Sequence, residues 1–159
     1  MRARRAGPGQ EAGMVPMEIA LAEARAAAER GEVPVGAVVT GPDGAVLAQA
    51  GNQVEATRDA GAHAEMLALR AAGALLGSPR LPGCTLWVTL EPCPMCAQAI
   101  AFARVRRVYY GAADPKGGGV EHGPRIFSQP TTHHRPEVYP GIAEREAADL
   151  LRAFFRERR

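Results

Sequence analysis

The sequence predicts an α/β fold in three layers, α/β/α, with a mixed central sheet of about five strands and helices on both faces. Three observations predict it. Apolar runs of strand length alternate with segments of helical period, in the order α β β α β α β α. The two runs at 35–50 flank a turn and read as an antiparallel hairpin. The strand–helix–strand unit at 85–111 requires a right-handed crossover, and hence a parallel pair. A sheet with both kinds of pairing buries its faces under helices on either side.

The elements follow in chain order. Residues 1–13 are small, charged and Gly/Pro-bearing, and are expected to be a disordered basic tail preceding one domain at 14–159. From Met17 to Arg30 the period is helical, with Ile19, Ala20, Ala24, Ala27 and Ala28 recurring on one face and Gly31 placed as the stop. VGAVVT (35–40) and AVLAQA (45–50) flank Gly41-Pro42-Asp43-Gly44, a hairpin signal. Residues 51–61 read as loop, and Ala62 to Leu76 as a helix. TLWVTL (85–90) is an apolar run between Gly83 and Pro92, the mark of a buried strand. Pro92 to Ala103 reads as a helix with proline in its first turn. VRRVYYG (105–111) is a further strand, 112–140 a Gly/Pro-rich loop, and 142–158 a helix that buries Ala147, Leu150, Leu151, Phe154 and Phe155.

Composition narrows the class. A chain of 159 residues, 47% hydrophobic, suits one domain with a proper core. Its net charge of +2 lies wholly in the first thirteen residues, where Arg2, Arg4 and Arg5 face Glu11, so global charge alone does not argue for a nucleic-acid partner. Three cysteines, two of them in a tight C-x-x-C, do not form a disulfide framework. They suit a reducing compartment. No apolar h-region follows the N-terminal arginines and no run of 18 apolar residues occurs, so a cytoplasmic protein without a membrane span is expected.

The chemistry lies at two predicted helix starts. His63-Ala64-Glu65 opens one, and Pro92-Cys93-Pro94-Met95-Cys96 opens the other. Cys93 and Cys96 are spaced i, i+3 and share a helix face. They sit in a first turn, where free N–H groups and the positive dipole end favour thiolates. His63, Cys93 and Cys96 supply three zinc ligands and leave the fourth tetrahedral position open, the arrangement of a catalytic rather than a structural zinc. One Zn2+ per chain is expected. Glu65 would diverge from His63 by about 200° in mid-helix. At the helix end the two can flank one pocket, with His63 on the metal and Glu65 beside the water that zinc activates. Cys84 lacks a partner at metal spacing and reads as a buried strand-edge residue.

The pattern H-x-E…P-C-x-x-C is the signature of zinc nucleobase deaminases. In that chemistry an activated water attacks a ring carbon bearing an exocyclic amine. Glu65 takes the water proton and passes protons to a ring nitrogen and to the departing ammonia.

With these residues in view, the chain resembles the bacterial tRNA-specific adenosine deaminases, the TadA family of the cytidine deaminase-like superfamily, from about Met17 to its end. The resemblance runs through Glu32-Val33-Pro34-Val35-Gly36-Ala37-Val38, Gly51-Asn52, Asp59 with Ala62-His63-Ala64-Glu65, and Thr89-Leu90-Glu91-Pro92-Cys93-Pro94-Met95-Cys96. It continues through Tyr110-Gly111-Ala112, Asp114, Lys116-Gly117-Gly118 and Phe154-Phe155-Arg156. The resemblance implies adenosine-to-inosine conversion at the wobble position (34) of an arginine tRNA, a homodimer with a composite RNA surface, and contacts from Asn52 to the flipped base and from Asp114 to a nucleotide near it. Two departures lie near the expected substrate mouth: Ala60-Gly61 replaces the more usual Pro-Thr, and the 119–136 loop is Pro-rich and longer in character.

Residues suited to contact tRNA phosphates and anticodon-loop bases are Arg152, Arg156, Arg158 and Arg159 on the last helix. His122, Arg125, His133, His134 and Arg135 join them in the late loop, with Phe127 and Tyr139 nearby. Three other readings stay open: the same chemistry on a free base or nucleoside (guanine, cytosine or cytidine), a non-catalytic zinc-stabilised RNA-binding module, and a thiol redox pair at Cys93/Cys96.

Overall fold

The computed structural model describes residues 8–158. Helix α1 (Pro8–Glu29) leads into strands β1 (Gly36–Thr40) and β2 (Val46–Gly51), the single-turn helix α2 (Val54–Thr57) and α3 (Ala64–Leu76). β3 (Thr85–Leu90), α4 (Pro94–Phe102), β4 (Arg107–Ala112), a 3-10 turn at Ile126–Ser128, β5 (Glu137–Tyr139) and α5 (Glu144–Glu157) complete the chain. The five strands form one mixed sheet in the order β2-β1-β3-β4-β5. β1 is antiparallel to both β2 and β3, whereas β3–β4 and β4–β5 are parallel. The expected hairpin, crossover and three-layer architecture are all present.

Alternation along the strands sorts the core into two layers. Ala37, Val39, Leu86, Val88, Val108 and Tyr110 pack with Ala68, Leu69 and Ala72 of α3 and Ala97 and Ile100 of α4. Val38, Trp87 and Tyr109 face the other way, onto the layer of Met17, Ala20 and Leu21 of α1 and Ala147 of α5. α1 lies unusually close to the sheet. A Cβ on Gly36 would fall 1.9 Å from the Ala20 carbonyl oxygen, so glycine there is what lets helix backbone rest on strand backbone.

Four boundaries differ from the sequence-based expectations. Residues 1–7 of the expected tail lie outside the described residues, but Pro8–Gly13 belong to α1. Proline suits the first helical position, and Gln10, Glu11 and Ala12 are compatible with helix, which the Gly/Pro content of the segment obscured. The 51–61 loop contains α2, held by a distant side chain described below. α4 begins at Pro94 rather than Pro92, with Cys93 as its N-cap. The 112–140 loop contains β5, a three-residue strand paired in parallel with Arg107–Tyr109. Its Tyr139 ring completes a stack with Tyr109 and Trp87, with centroids 4.7 and 4.0 Å apart in turn. No helix among the described residues is long and apolar enough to cross a membrane.

Candidate active site

Two of the candidate metal ligands occupy helix N-cap positions. His63 caps α3 and Cys93 caps α4, both with extended backbone, and neither side chain makes the usual capping hydrogen bond. Their side chains turn instead toward Cys96, in the first turn of α4. The Sγ atoms of Cys93 and Cys96 lie 3.6 and 3.5 Å from His63 Nδ1. Zinc–sulfur bonds of about 2.3 Å and a zinc–nitrogen bond of about 2.0–2.1 Å at the tetrahedral angle require a separation of about 3.6 Å. Among the described residues, this is the group of side chains arranged to hold a metal ion.

The ionisation of the ligands favours a dication. A hydrogen bond from Cys96 holds the Cys93 thiol down to about 4 against the cost of burial, with His63 assisting. The same bond and burial push Cys96 up. The Cys93 hydrogen bond raises His63. One thiolate, one thiol and an imidazole thus share a proton-rich cluster that a divalent cation would replace.

Glu65 lies in the first turn of α3, 4% exposed, within hydrogen-bonding reach of Cys96. Burial pushes its carboxyl up to about 7. The helix-end geometry places Glu65 beside the cluster of His63, Cys93 and Cys96.

Asn52 is buried, and its Oδ1 accepts the Ala64 N–H at 2.8 Å. It thereby performs the capping of α3 that His63, committed to the metal cluster, does not. Asp114 is half-buried, and its Oδ1 accepts from the backbone N–H groups of Lys116 (3.3 Å) and Gly117 (2.9 Å).

The sequence reading missed two buried carboxylates. Glu32 accepts the N–H groups of Glu55 and Ala56 at 3.1 and 2.8 Å, which fixes α2 and the segment leading to His63. Glu91, one residue past β3, accepts backbone N–H groups from Asp114, Val120, Glu121 and His122. Burial opposes its charge, but these N–H groups and the His122 ring hold it below the usual carboxylate range. The only sequence signal for either was an acidic residue inside a stretch that resembles the family.

The late loop is largely spoken for by its own fold. His122 pairs with Glu91, His134 meets the Val105 carbonyl at 2.6 Å, and Arg135 donates to the carbonyls of Phe127 and Gln129. Phe127 is buried. Each of these four thus has a partner within the fold, whereas the side chains of Arg125 and His133 are exposed there without one among the contacts of the described residues. On α5, Arg152 pairs with Asp149 and Arg158 lies over the Phe154 ring. Arg159 lies outside the described residues. Cys84 is buried with a free thiol, as expected.

A three-layer sandwich that carries two Cys and one His at facing helix starts, with a buried carboxyl beside them, is the framework of the zinc-dependent deaminases. Residues 14–112 match the family model described as "Cytidine and deoxycytidylate deaminase zinc-binding region", and the chain belongs to that family. It is 61% identical over 143 residues to the tRNA-specific adenosine deaminase of Agrobacterium fabrum strain C58, covering 90% of this chain and 93% of that protein. To the tRNA-specific adenosine deaminase of Bacillus subtilis strain 168 it is 46% identical, covering 90% and 88%. A solved structure from work on A-to-I editing by tRNA:A34 deaminases at the wobble position of transfer RNA superposes with a TM-score of 0.85. That match is at 59% identity, over 87% of this chain and 99% of that one. The guanine deaminase of Nitrosomonas europaea superposes at 0.72 with 27% identity, covering 96% and 86%. The chain is thus a zinc-binding deaminase.

Proposed function

We propose that this protein converts adenosine to inosine at the wobble position of a tRNA, with an arginine tRNA as the substrate. The observation that carries this reading is the 61% identity to a tRNA-specific adenosine deaminase across 90% of the chain, well beyond the zinc motif. The guanine deaminase likeness is far weaker, at 27% identity.

His63, Cys93 and Cys96 would hold the zinc. When bound, zinc lowers the pKa of a water toward about 7 and so supplies the nucleophile. Glu65 would take one proton of the water and deliver it to the ring nitrogen next to the reacting carbon, and then carry the water's second proton to the departing amine. Water and adenosine become inosine and ammonia. A carboxyl raised to about 7 is matched to giving and taking protons near neutrality. Asn52, anchored through Oδ1 on α3, contacts the flipped base, and Asp114 contacts a neighbouring nucleotide. The test is incubation with total tRNA followed by sequencing for inosine. Inosine at position 34 of an arginine tRNA is the expected result. Turnover of free guanine, cytosine or cytidine with no inosine in tRNA would replace this reading with that of a small-molecule deaminase.

The protein works as a cytoplasmic homodimer on this reading. The contact surface is the apolar face of α3 and α4, where Met66, Leu69, Ala99 and Phe102 line a groove and Phe102 is 71% exposed. An aromatic ring so placed on a helix that also carries the metal ligands is suited to cover by a second copy. Phe102→Glu is expected to give a monomer by light scattering where the wild type gives a dimer. A dimer that survives the substitution would move the interface elsewhere.

A further inference from the structure

We propose that Glu91 is a positioning residue for the reaction, holding the 114–122 loop against the start of α4 so that Asp114 and Lys116 stand where RNA enters. This rests on the tRNA-deaminase reading above. The side chain of Glu91 is wholly buried, and both of its oxygens are used. Oε1 accepts the Asp114 N–H at 3.0 Å and lies 2.7 Å from His122 Nδ1. Oε2 accepts the N–H groups of Val120, Glu121 and His122 at 3.2, 2.9 and 3.1 Å. A carboxylate cannot donate, so the imidazole carries its proton on Nδ1. One carboxylate thus closes the loop at both ends.

The contact reaches the metal ligands. The Gly119 N–H donates to the Pro92 carbonyl at 2.8 Å. A Cβ on Gly119 would stand 2.5 Å from Pro94 N and 2.8 Å from the Cys93 carbonyl carbon. A Cβ on Gly118 would stand 2.5 Å from Glu91 Oε2. The loop is therefore pressed onto the backbone that carries Cys93, with no room for side chains between. Five hydrogen bonds fix Glu91 there, and its contacts lead to the loop rather than to the metal cluster. Its contribution goes through the loop.

The loop meets nucleotides rather than the bond that breaks, so its displacement should weaken ground-state and transition-state binding alike and appear in KM. Glu91→Gln keeps the shape but turns an amide NH2 toward the Asp114 N–H, donor against donor, while Oε1 of the glutamine still serves the three N–H groups at 120–122. His122→Ala removes one bond only, from a half-exposed ring, and keeps the fold if Glu91→Gln does not. The experiment measures kcat, KM and direct affinity on an anticodon stem-loop, with zinc content and thermal midpoint. For Glu91→Gln, KM and Kd should rise about tenfold, with kcat falling only about twofold to threefold and zinc unchanged. For His122→Ala, KM should rise about threefold, and this effect should vanish in the Glu91→Gln background, since both act through one carboxylate. Unchanged KM in both variants, or a loss of kcat in step with lost zinc, would overturn the proposal. A wild type that neither binds nor deaminates the stem-loop would overturn the tRNA reading itself, and this proposal with it.

Discussion

Glu65→Gln is expected to lower kcat by about 10²–10⁴-fold while leaving one zinc per chain in place. The residue lies beside His63, Cys93 and Cys96, the group placed to hold a metal ion, and is not one of them. Removing its proton chemistry therefore leaves metal binding intact. Stability should not fall either. Glu65 is 4% exposed and burial pushes its carboxyl up to about 7, so the folded state bears the cost of enclosing an ionisable group. An amide of the same size removes that cost. The measurements are single-turnover kinetics on an anticodon stem-loop, metal content by mass spectrometry, and a thermal melt. A glutamine variant within tenfold of wild type would show that the proton is carried elsewhere. A variant that loses zinc as well as rate would make Glu65 a ligand.

The chemistry of the site was legible in the sequence because its determinants are local. His63 and Glu65 are two residues apart, and Cys93 and Cys96 three, each pair at a helix start that apolar periodicity and Pro92-Cys93-Pro94 mark out. The sheet was legible for the same reason: β1 and β3 are continuous buried runs, and β2 and β4 carry their apolar residues in short local segments bounded by turns or a helix. What was not legible depends on distant partners. β5 is three residues with no alternation of its own, and it exists because β4 offers an edge. α2 is a single turn held by Glu32, more than twenty residues earlier. Glu91 reads locally as an acidic residue before a proline, and only the return of the loop at 114–122 turns it into the acceptor of five hydrogen bonds. His134 and Arg135 looked like phosphate contacts because their carbonyl partners at Val105, Phe127 and Gln129 are invisible to composition.

This difference between local and distant determinants also separates the two buried asparagine and carboxylate contacts at the mouth from the metal centre. Asn52, from another segment, caps α3 through Ala64, whereas Glu91, two residues before Cys93, ties the 114–122 loop to the start of α4. His63 and Cys93, which make no capping hydrogen bond themselves, turn toward one another and Cys96 instead.

Cys96→Ser is the second substitution with a large expected effect. Zinc should fall from about one per chain to near zero after dialysis against a mild chelator, and deamination should be lost with it. A serine hydroxyl does not ionise in the range where a thiolate ligates, and His63 with Cys93 alone makes too few protein ligands for a catalytic site. The fold should nevertheless survive. α3 is held on the sheet by Ala68, Leu69 and Ala72 and α4 by Ala97 and Ile100, and the opposite layer closes around Met17, Leu21, Trp87 and Ala147 without reference to the metal. The variant should therefore keep its far-ultraviolet circular dichroism and melt cooperatively at a lower temperature. The wild type at zinc a thousandfold above its dissociation constant should gain about 4 kcal/mol over its own metal-free form. A catalytic zinc predicts this combination of retained fold and lost activity. Unfolding on metal loss would make the zinc structural. Wild-type protein that carries no zinc and cycles a Cys93–Cys96 disulfide would restore the redox reading, because the same two thiols lie close enough to approach one another.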